Sequence, residues 1–176
     1  MTVGEKQAIQ TYWIMVVGLA GAGKTTFIRQ AASERVPPSP QHSAQVSIQV
    51  DEHIQVRLHE APNTNDPKIL WRGVHPSRCL GAVIMVDSTN HRGLADASRQ
   101  AAALTTTDPV PYVFAANKQD QLHALPVLEL RILLQHFDGH LLPVLPCVAT
   151  ERTDVQRVLL ALLELARDDY DDGIAW

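Results

Sequence analysis

Residues 18–25 read GLAGAGKT and directly follow the apolar run WIMVV at residues 13–17. The octapeptide matches the pattern G-x-x-x-x-G-K-S/T, in which a buried strand leads through a glycine-rich turn into a helix. The backbone N–H groups of such a turn and the positive N-terminal end of the helix attract a polyphosphate. A glycine-rich turn that serves only close packing does not require the lysine. We therefore predict a phosphate-binding loop.

The chemistry of this loop assigns roles to its side chains. Lys24 would neutralise the β- and γ-phosphates and so act in catalysis, Thr25 would ligate Mg²⁺, and Thr26 would lie near the α-phosphate. The residues predicted to contact the phosphates are Ala20, Gly21, Ala22, Gly23, Lys24, Thr25 and Thr26.

A second motif, NKQD at residues 117–120, follows the apolar run VPYVFAA at residues 110–116. The Asp120 carboxylate can accept hydrogen bonds from N1–H and the exocyclic amine of guanine, a pair of donors that adenine lacks. Asn117 can tie this loop to the phosphate loop, and the methylenes of Lys118 can cover one face of the purine. Asn and Asp are also common in turns after strands. The position of the motif, two strand-like segments beyond the phosphate loop, favours guanine recognition.

On these motifs and on its order of strands and helices, the chain resembles the Ras-like small GTPases over about residues 11–167. It looks most similar to the prokaryotic branch that includes the gliding and polarity GTPases and the GTPases encoded beside Roadblock-type regulators. A third match is CVAT at residues 147–150, where the resemblance implies that the Ala149 N–H meets the guanine O6 and that Thr150 belongs to the base site. The resemblance also implies GTP or GDP and Mg²⁺ as cofactors, and protein regulators, Roadblock-type ones among them, as partners.

The chain departs from the family after its third strand. The family has Asp-x-x-Gly followed by a water-orienting Gln, whereas this sequence has Glu60 at the Asp position, Asn63 at the Gly and Thr64 at the Gln. Asn adopts positive φ more readily than most residues, so we expect the turn to survive the loss of Gly. Glu60 and Thr64 are placed among the catalytic positions, although Thr64 lacks the usual carboxamide.

The first switch departs as well, because the family supplies a Thr there for Mg²⁺ and the γ-phosphate. Residues 36–43, VPPSPQHS, contain no Thr, which leaves Ser39 or Ser43 as substitutes and makes Ser43 the second candidate metal ligand beside Thr25. Orienting the nucleophile and stabilising the transferred charge carry most phosphoryl-transfer catalysis, so losing these groups should slow hydrolysis by several orders of magnitude. We expect a protein that binds GDP and GTP but hydrolyses GTP slowly.

Three functions fit these observations. The first is a guanine-nucleotide-binding regulatory switch. The second is a pseudo-GTPase scaffold whose nucleotide is structural, which the altered residues 60–64 favour. The third, an ATP-dependent kinase or ATPase that shares only the phosphate loop, is disfavoured by NKQD.

Three further residues are open to two interpretations each. Trp71 lies where the family's second switch forms its partner-binding helix, and it is either an exposed anchor for a regulator or a buried aromatic residue. Arg72 or Arg78 is either an internal arginine finger or, as is commoner, a surface residue.

Composition narrows the class of protein. A chain of 176 residues, 45% hydrophobic, is long enough for one domain, which we place at residues 1–168 with an acidic tail at 169–176. The formal net charge of −4 and the scattered basic residues exclude recruitment of nucleic acid by bulk electrostatics. No apolar stretch approaches a membrane span and no lipidation motif is present, so we expect a cytoplasmic protein without a membrane anchor.

The cysteines and histidines show no metal-binding pattern. Cys79 and Cys147 lie in apolar settings without C-x-x-C spacing, which is typical of reduced core thiols in a reducing cytosol. The eight histidines have no ligand-like spacing, so we expect no structural zinc.

The periodicity of apolar residues predicts the order of strands and helices. Two alternating segments, at residues 46–50 and 54–58, predict an antiparallel edge hairpin joined at 51–53. The continuous apolar run 81–86 predicts a central strand. Two further helix signals are Pro67, which can start a short helix that ends before Gly81, and a possible capping box formed by Thr153 and Gln156. The remaining expectations are strands at 12–17, before Asn117 and at 144–147, and helices at 24–33, 91–105 and from Pro126 to Gly139.

This alternation predicts an α/β fold, namely a single P-loop NTPase domain of the small GTPase type. It would have a six-stranded, mostly parallel sheet with one antiparallel edge strand and helices on both faces. The nucleotide would bind beyond the carboxyl ends of the strands, where the three candidate loops emerge.

Overall fold

The computed structural model describes residues 9–32, 45–106, 109–138 and 143–171. Its centre is one six-stranded sheet in the order β2-β3-β1-β4-β5-β6, in which every neighbouring pair is parallel except β2 and β3. The strands are β1 (Gln10–Gly18), β2 (Gln45–Gln49), β3 (Ile54–Glu60), β4 (Cys79–Asp87), β5 (Tyr112–Asn117) and β6 (Val144–Pro146). The predicted fold class is therefore confirmed.

Helices cover both faces of this sheet because successive strand residues point to opposite sides. From β1, Met15 and Val17 enter one core and Ile14 and Val16 enter the other. The helices are α1 (Lys24–Ala31), α2 (Pro67–Leu70), α3 (Leu94–Thr105), α4 (Val127–Asp138) and α5 (Arg152–Asp171). Helices α2, α3 and α4 pack on the first side, and α1 and α5 pack on the second.

The predicted edge hairpin is present. Val46 pairs with Leu58 and Ile48 with Val56 across β2 and β3. The turn between them is closed by Asp51, whose Oδ1 accepts hydrogen bonds from the backbone N–H groups of residues 53 and 54 at 2.7 and 2.8 Å. Such a local bond is the usual reason for Asp in a turn. Strand β3 lies between the edge strand β2 and the strand β1. Its last residue, Glu60, therefore lies beside the phosphate loop, which follows β1.

The short helix predicted to begin at Pro67 and end before Gly81 is confirmed. It is a single turn, α2, whose Asp66 cap accepts from the Lys68 N–H at 2.9 Å. Gly73 then takes a positive φ of 84° and turns the chain, and β4 begins at Cys79, two residues earlier than predicted.

The predicted capping box at the last helix is also wrong. Helix α5 begins at Arg152, so Thr153 and Gln156 lie inside it. The carboxylate of Asp154 instead accepts from the backbone N–H of Val148 at 2.9 Å, which ties the start of the helix to the loop after β6. The helix continues through Asp171, so the first three residues of the predicted acidic tail are helical, and residues 172–176 lie outside the described part.

Among the helices of the described residues, none combines the length and the apolar character needed to cross a bilayer.

Candidate functional site

The glycine-rich loop leaves the carboxyl end of β1 and enters α1 through residues that adopt left-handed backbone conformations. Gly21 has φ 79° and Gly23, the N-cap of α1, has φ 98°. A side chain at residue 23 would overlap the Asn117 carboxamide, whereas nothing lies within 4 Å of the corresponding position at residue 21. Residue 23 therefore requires glycine both for its φ and for the close approach of Asn117.

Lys24 is buried, with 7% of its surface exposed. Its Nζ donates to the carbonyl oxygens of Gly18 at 2.8 Å and Leu19 at 3.1 Å. An ammonium has three donors, so these bonds orient the group while one donor can reach a phosphate oxygen. Burial lowers the pKa of Lys24, and the nearby Glu60 carboxylate partly opposes this shift.

Thr25 and Glu60 meet beside the ammonium. The Thr25 Oγ1 donates to the Glu60 Oε2 at 2.8 Å. These are a hydroxyl and a carboxylate, the hard oxygen donors that Mg²⁺ prefers. The donor set at the loop therefore fits Mg²⁺, and Thr25 and Glu60 are the residues that would hold it.

An open cleft of about 500 Å³ lies above these groups. It is lined by Ala20, Gly21, Gly23, Lys24, Thr25, Thr26, Glu60, Ala61, Pro62 and Asn63. The structure thus brings six of the seven predicted phosphate-contacting residues to one cleft with Glu60. The seventh, Ala22, is buried with 1% exposure and offers its carbonyl to Asn117.

The segment after β3 differs from expectation. Thr64 does not line the cleft; its Oγ1 accepts from the Asp66 N–H at 3.1 Å and so stabilises the turn before α2. Asn63 does not take a positive φ, because Lys118 is the only non-glycine residue of the described chain that does. The Asn63 Oδ1 instead accepts from Gln100 Nε2 of α3 at 3.0 Å. The expectation that Asn63 preserves a glycine-like turn is therefore wrong. The hydrogen bond between Asn63 and Gln100 holds the segment against α3 instead.

Asn117 joins the predicted base loop to the phosphate loop, as predicted. It is 3% exposed, and its Nδ2 donates to the Ala22 carbonyl at 2.8 Å. Its Oδ1 accepts from the Ala149 N–H, also at 2.8 Å. That N–H, expected to meet the guanine O6, is thus used by Asn117 in this structure.

The other base-loop residues lie at the carboxyl ends of β5 and β6. Asp120 and Thr150 are exposed, with Asp120 three residues beyond β5. Lys118 is held by an ion pair between its Nζ and the Asp87 Oδ2 at 2.5 Å. Asp87, the last residue of β4, was missed as part of the site in the sequence. The available signal was the polar triplet DST at residues 87–89, at the carboxyl end of a central strand, where ligands bind in open α/β sheets.

The structure decides between the two interpretations of Trp71. It is 9% exposed, and its Nε1 donates to the Leu104 carbonyl at 3.2 Å, so it is a core residue and not an exposed anchor.

An arginine-finger role for Arg78 is wrong on topological grounds. Arg78 precedes β4, and the eight residue steps of that parallel strand, at about 3.3 Å each, separate it from the phosphate-loop end by roughly 26 Å. Arg72 is exposed beyond α2.

The switch candidates Ser39 and Ser43 lie outside the described residues.

Both cysteines are free thiols. Burial raises the pKa of Cys79 to about 11 and that of Cys147 to about 12. Thiols that stay protonated at neutral pH are poor nucleophiles, which agrees with core packing.

Comparison with known proteins places the chain in a family. The sequence model described as "ADP-ribosylation factor family" matches residues 2–166. The chain is 34% identical over 110 residues to human ADP-ribosylation factor-like protein 9, covering 61% of this chain and 58% of that protein. It is 33% identical over 124 residues to mouse ADP-ribosylation factor-like protein 10, covering 67% of this chain and 49% of that protein. The chain therefore spans about half the length of these two relatives.

A third relative agrees with this placement, and a solved structure shares the fold. The chain is 24% identical over 144 residues to ADP-ribosylation factor-like protein 3 of Saccharomyces cerevisiae, covering 75% of this chain and 72% of that protein. The Arl6 BBS3 small GTPase from Trypanosoma brucei, solved with the nucleotide analogue GppNp, superposes with a TM-score of 0.68 at 20% identity. This match covers 90% of this chain and 99% of that chain, and at such identity it shows the fold.

The predicted placement near the prokaryotic gliding and polarity GTPases is not supported, because these relatives are eukaryotic ADP-ribosylation factor-like proteins. The wider expectation of a Ras-like small GTPase holds, since the matching family lies within the Ras superfamily of small GTPases. The chain belongs to the ADP-ribosylation factor family of small GTPases.

Proposed function

We propose that this protein is a guanine-nucleotide-dependent regulatory switch that binds GDP and GTP with Mg²⁺ and hydrolyses GTP slowly by itself. The observation that carries the proposal is the 2.8 Å hydrogen bond between Thr25 and Glu60. It links the last residue of β3, which leads into the segment where the family senses the third phosphate, directly to the phosphate loop.

In this proposal the site has two halves. Lys24 and the loop N–H groups bind the β- and γ-phosphates, and Thr26 lies near the α-phosphate. Asp120 selects guanine, Lys118 covers a face of the base, and Ala149 and Thr150 complete the base pocket. Thr25 and Glu60 would hold Mg²⁺, with Ser43 as a further candidate ligand, and the ion would neutralise phosphate charge.

Slow hydrolysis follows from what the segment after β3 lacks. Position 64 has no carboxamide, and its hydroxyl is already engaged by the Asp66 N–H. Asn63, the nearest carboxamide, is bonded to Gln100. Since positioning of the attacking water carries much of phosphoryl-transfer catalysis, turnover should fall by several orders of magnitude.

Single-turnover hydrolysis of radiolabelled GTP tests this proposal. We expect wild-type protein to retain GTP for hours and Thr64→Gln to hydrolyse it faster, because the substitution restores a carboxamide. Asn65→Gln is the matched control, since it lengthens a carboxamide side chain at the exposed residue that follows the family's water-orienting position. Wild-type turnover within seconds, or identical rates in all three proteins, would contradict the mechanism.

The alternative function is a pseudo-GTPase scaffold with a structural nucleotide. The contact between Asn63 and Gln100 favours it, because it holds the segment in a conformation without the family's glycine turn. Calorimetric titration of nucleotide-free protein separates the two functions. A switch binds GDP and a non-hydrolysable GTP analogue tightly with Mg²⁺ dependence, whereas a scaffold binds GDP tightly and the triphosphate feebly.

The proposed partners are protein regulators that distinguish the two nucleotide states, in the cytoplasm. The Roadblock-type class implied by the sequence resemblance belonged to the prokaryotic branch, which the comparisons do not support, so we propose no particular regulator. Affinity capture with GDP-loaded and analogue-loaded protein tests the proposal, and partners that bind both forms equally would contradict it.

A further inference from the structure

The ends of β4 and β5 form a contact that the phosphate and base motifs do not include. Asp87 and Asn117 are register partners at the carboxyl ends of these two parallel strands. The residue after Asn117, Lys118, forms the ion pair with Asp87 at 2.5 Å, and the two side chains are only 27% and 17% exposed. Partial shielding from water makes such a charged contact stronger than an ordinary surface ion pair.

Asp87 is itself held in place. Its Oδ1 accepts from the Thr89 N–H at 2.9 Å and from the Thr89 Oγ1 at 2.6 Å, which leaves Oδ2 directed to Lys118. Partial burial tends to raise the pKa of Asp87, but the bonds from Lys118 and Thr89 outweigh it and hold the pKa below its ordinary value. The carboxylate is therefore a fixed negative charge at neutral pH.

Lys118 has an unusual backbone. Its φ is 65°, the only positive value at a non-glycine residue within the described chain. A lysine adopts this left-handed conformation at a cost, and it persists where surrounding contacts hold it. Strain of this kind is concentrated at ligand-binding sites, so the contacts that maintain it are part of the site.

The neighbouring pair, Ser88 and Gln119, supplies a second set of bonds. Gln119 Nε2 donates to the Ser88 Oγ at 2.8 Å and to the Leu125 carbonyl at 3.0 Å. The Ser88 backbone donates to the Asn117 carbonyl at 3.0 Å and accepts from the Leu125 N–H at 2.9 Å. The segment after β4 thus holds the loop on both sides of Lys118.

We propose that Asp87 is a positioning residue for guanine-nucleotide binding, acting through Lys118. By holding the ammonium, Asp87 fixes the methylene stem of Lys118 in the plane where it covers the purine, and so lengthens the residence time of the nucleotide. The proposal rests on the proposed function, because it takes residues 117–120 as the base site. It concerns the base and not the phosphates, since Asp87 contacts the loop after β5 and does not line the phosphate cleft.

The dissociation rate of a fluorescent GDP, displaced by excess GDP, tests the role of Asp87. Asp87→Asn keeps the shape of the side chain and removes its charge, and we expect about tenfold faster release, the effect of losing one charge-assisted hydrogen bond. Lys118→Met keeps the stem but frees it from Asp87, and it should accelerate release similarly. Asp96→Asn is the matched control, because Asp96 pairs with Arg99 on the outer surface of α3.

The double variant separates positioning from general support of the fold. If Asp87 acts through Lys118, Asp87→Asn adds little to the rate once Lys118→Met is present. Equal acceleration by Asp87→Asn in both backgrounds, or none in either, would overturn the proposal. Should Asp87→Asn fail to fold, an unchanged release rate in Lys118→Met alone would overturn it. A wild-type protein that does not bind GDP would overturn the proposed function as well, and this outcome is visible before any variant is compared.

Discussion

The carboxamide of Asn117 donates to the Ala22 carbonyl at 2.8 Å, although the two residues are 95 positions apart in the chain. The same carboxamide accepts from the Ala149 N–H. One buried side chain therefore holds together the loops after β1, β5 and β6, so that the predicted phosphate and base halves of the site are brought together by the fold itself.

Replacement of this side chain should destabilise the protein even without nucleotide. Asn117→Ala leaves the Ala22 carbonyl and the Ala149 N–H without their partner in a buried setting, which costs about 1–3 kcal/mol for each group. We expect the free energy of unfolding to fall by about 2–4 kcal/mol in urea denaturation of nucleotide-free protein. Asn65→Ala, at an exposed position, is the control, and equal stability of the two variants would contradict the bridging role.

Two glycines of the phosphate loop should respond differently to alanine. Gly21→Ala introduces only the backbone cost of a left-handed residue, about 1–2 kcal/mol, because nothing lies near the added methyl group. Gly23→Ala adds a collision with Asn117, so it should be more destabilising and should also weaken GDP binding. Thermal denaturation with and without GDP measures both effects. Equal losses of thermal stability in Gly21→Ala and Gly23→Ala would mean that the Asn117 side chain moves aside without cost.

Lys24 should be indispensable for phosphate binding. Lys24→Ala removes the buried ammonium that is oriented by the Gly18 and Leu19 carbonyls, and we expect GDP binding to fall below detection in calorimetry. Lys68→Ala removes a charge at an exposed position and should bind like wild type. Unchanged affinity in Lys24→Ala would place the nucleotide elsewhere.

Asp120 should select the base. Asp120→Asn replaces an acceptor by a group that can donate to the C2 carbonyl of xanthine, so preference should move from guanine to xanthine nucleotides. Competition between GDP and XDP for a fluorescent nucleotide measures the change. Glu129→Gln, which neutralises an exposed carboxylate on α4, should leave the preference unaltered. Retained guanine preference in Asp120→Asn would contradict the assignment.

His59 should make stability depend on pH. Burial lowers its pKa below the ordinary 6.5, with partial opposition from the Glu60 carboxylate. Between the folded pKa and 6.5 the unfolded chain binds more protons than the folded chain, so stability rises with pH there and is lost on acidification below about 6.5. Urea denaturation at several pH values measures the slope.

The His59 contribution can be isolated by substitution. His59→Gln should flatten the dependence of stability on pH, whereas His53→Gln, at an exposed turn, should not. If the free energy of unfolding of wild type and of His59→Gln changes with pH in the same way, other groups cause the loss of stability in acid.

Local patterns predicted much of this molecule because they depend on neighbours in the chain. Alternation of apolar residues at 46–50 and 54–58 predicted the edge hairpin, and its antiparallel pairing is observed. Period-two and period-3.6 patterns report which face of a strand or helix is buried, whatever covers that face. The two motifs were placed at strand ends on the same grounds, and the structure puts both at one edge of the sheet.

Features that depend on distant partners could not be predicted in this way. Trp71 is buried because α3 offers it the Leu104 carbonyl, 33 residues away, and no local pattern separates that outcome from an exposed anchor. The helix after Pro67 stops after one turn because the core takes up Leu70 and Trp71 and the chain reverses at Gly73. Thr64 and Asn63 were assigned by alignment to a family pattern, whereas their contacts are to Asp66 and Gln100.

Periodicity and functional groups within a few residues were enough to predict the order of strands and helices, the chemistry of residues 18–25 and 117–120, and the location of both motifs at the carboxyl ends of parallel strands. The side chains that hold these loops in place depend on tertiary contacts. Asp87 meets Lys118, and Asn117 meets Ala22, because the parallel pairing of β1, β4 and β5 brings strand ends together that lie 31 to 95 residues apart. Such pairings depend on strand order and register, which no local pattern contains.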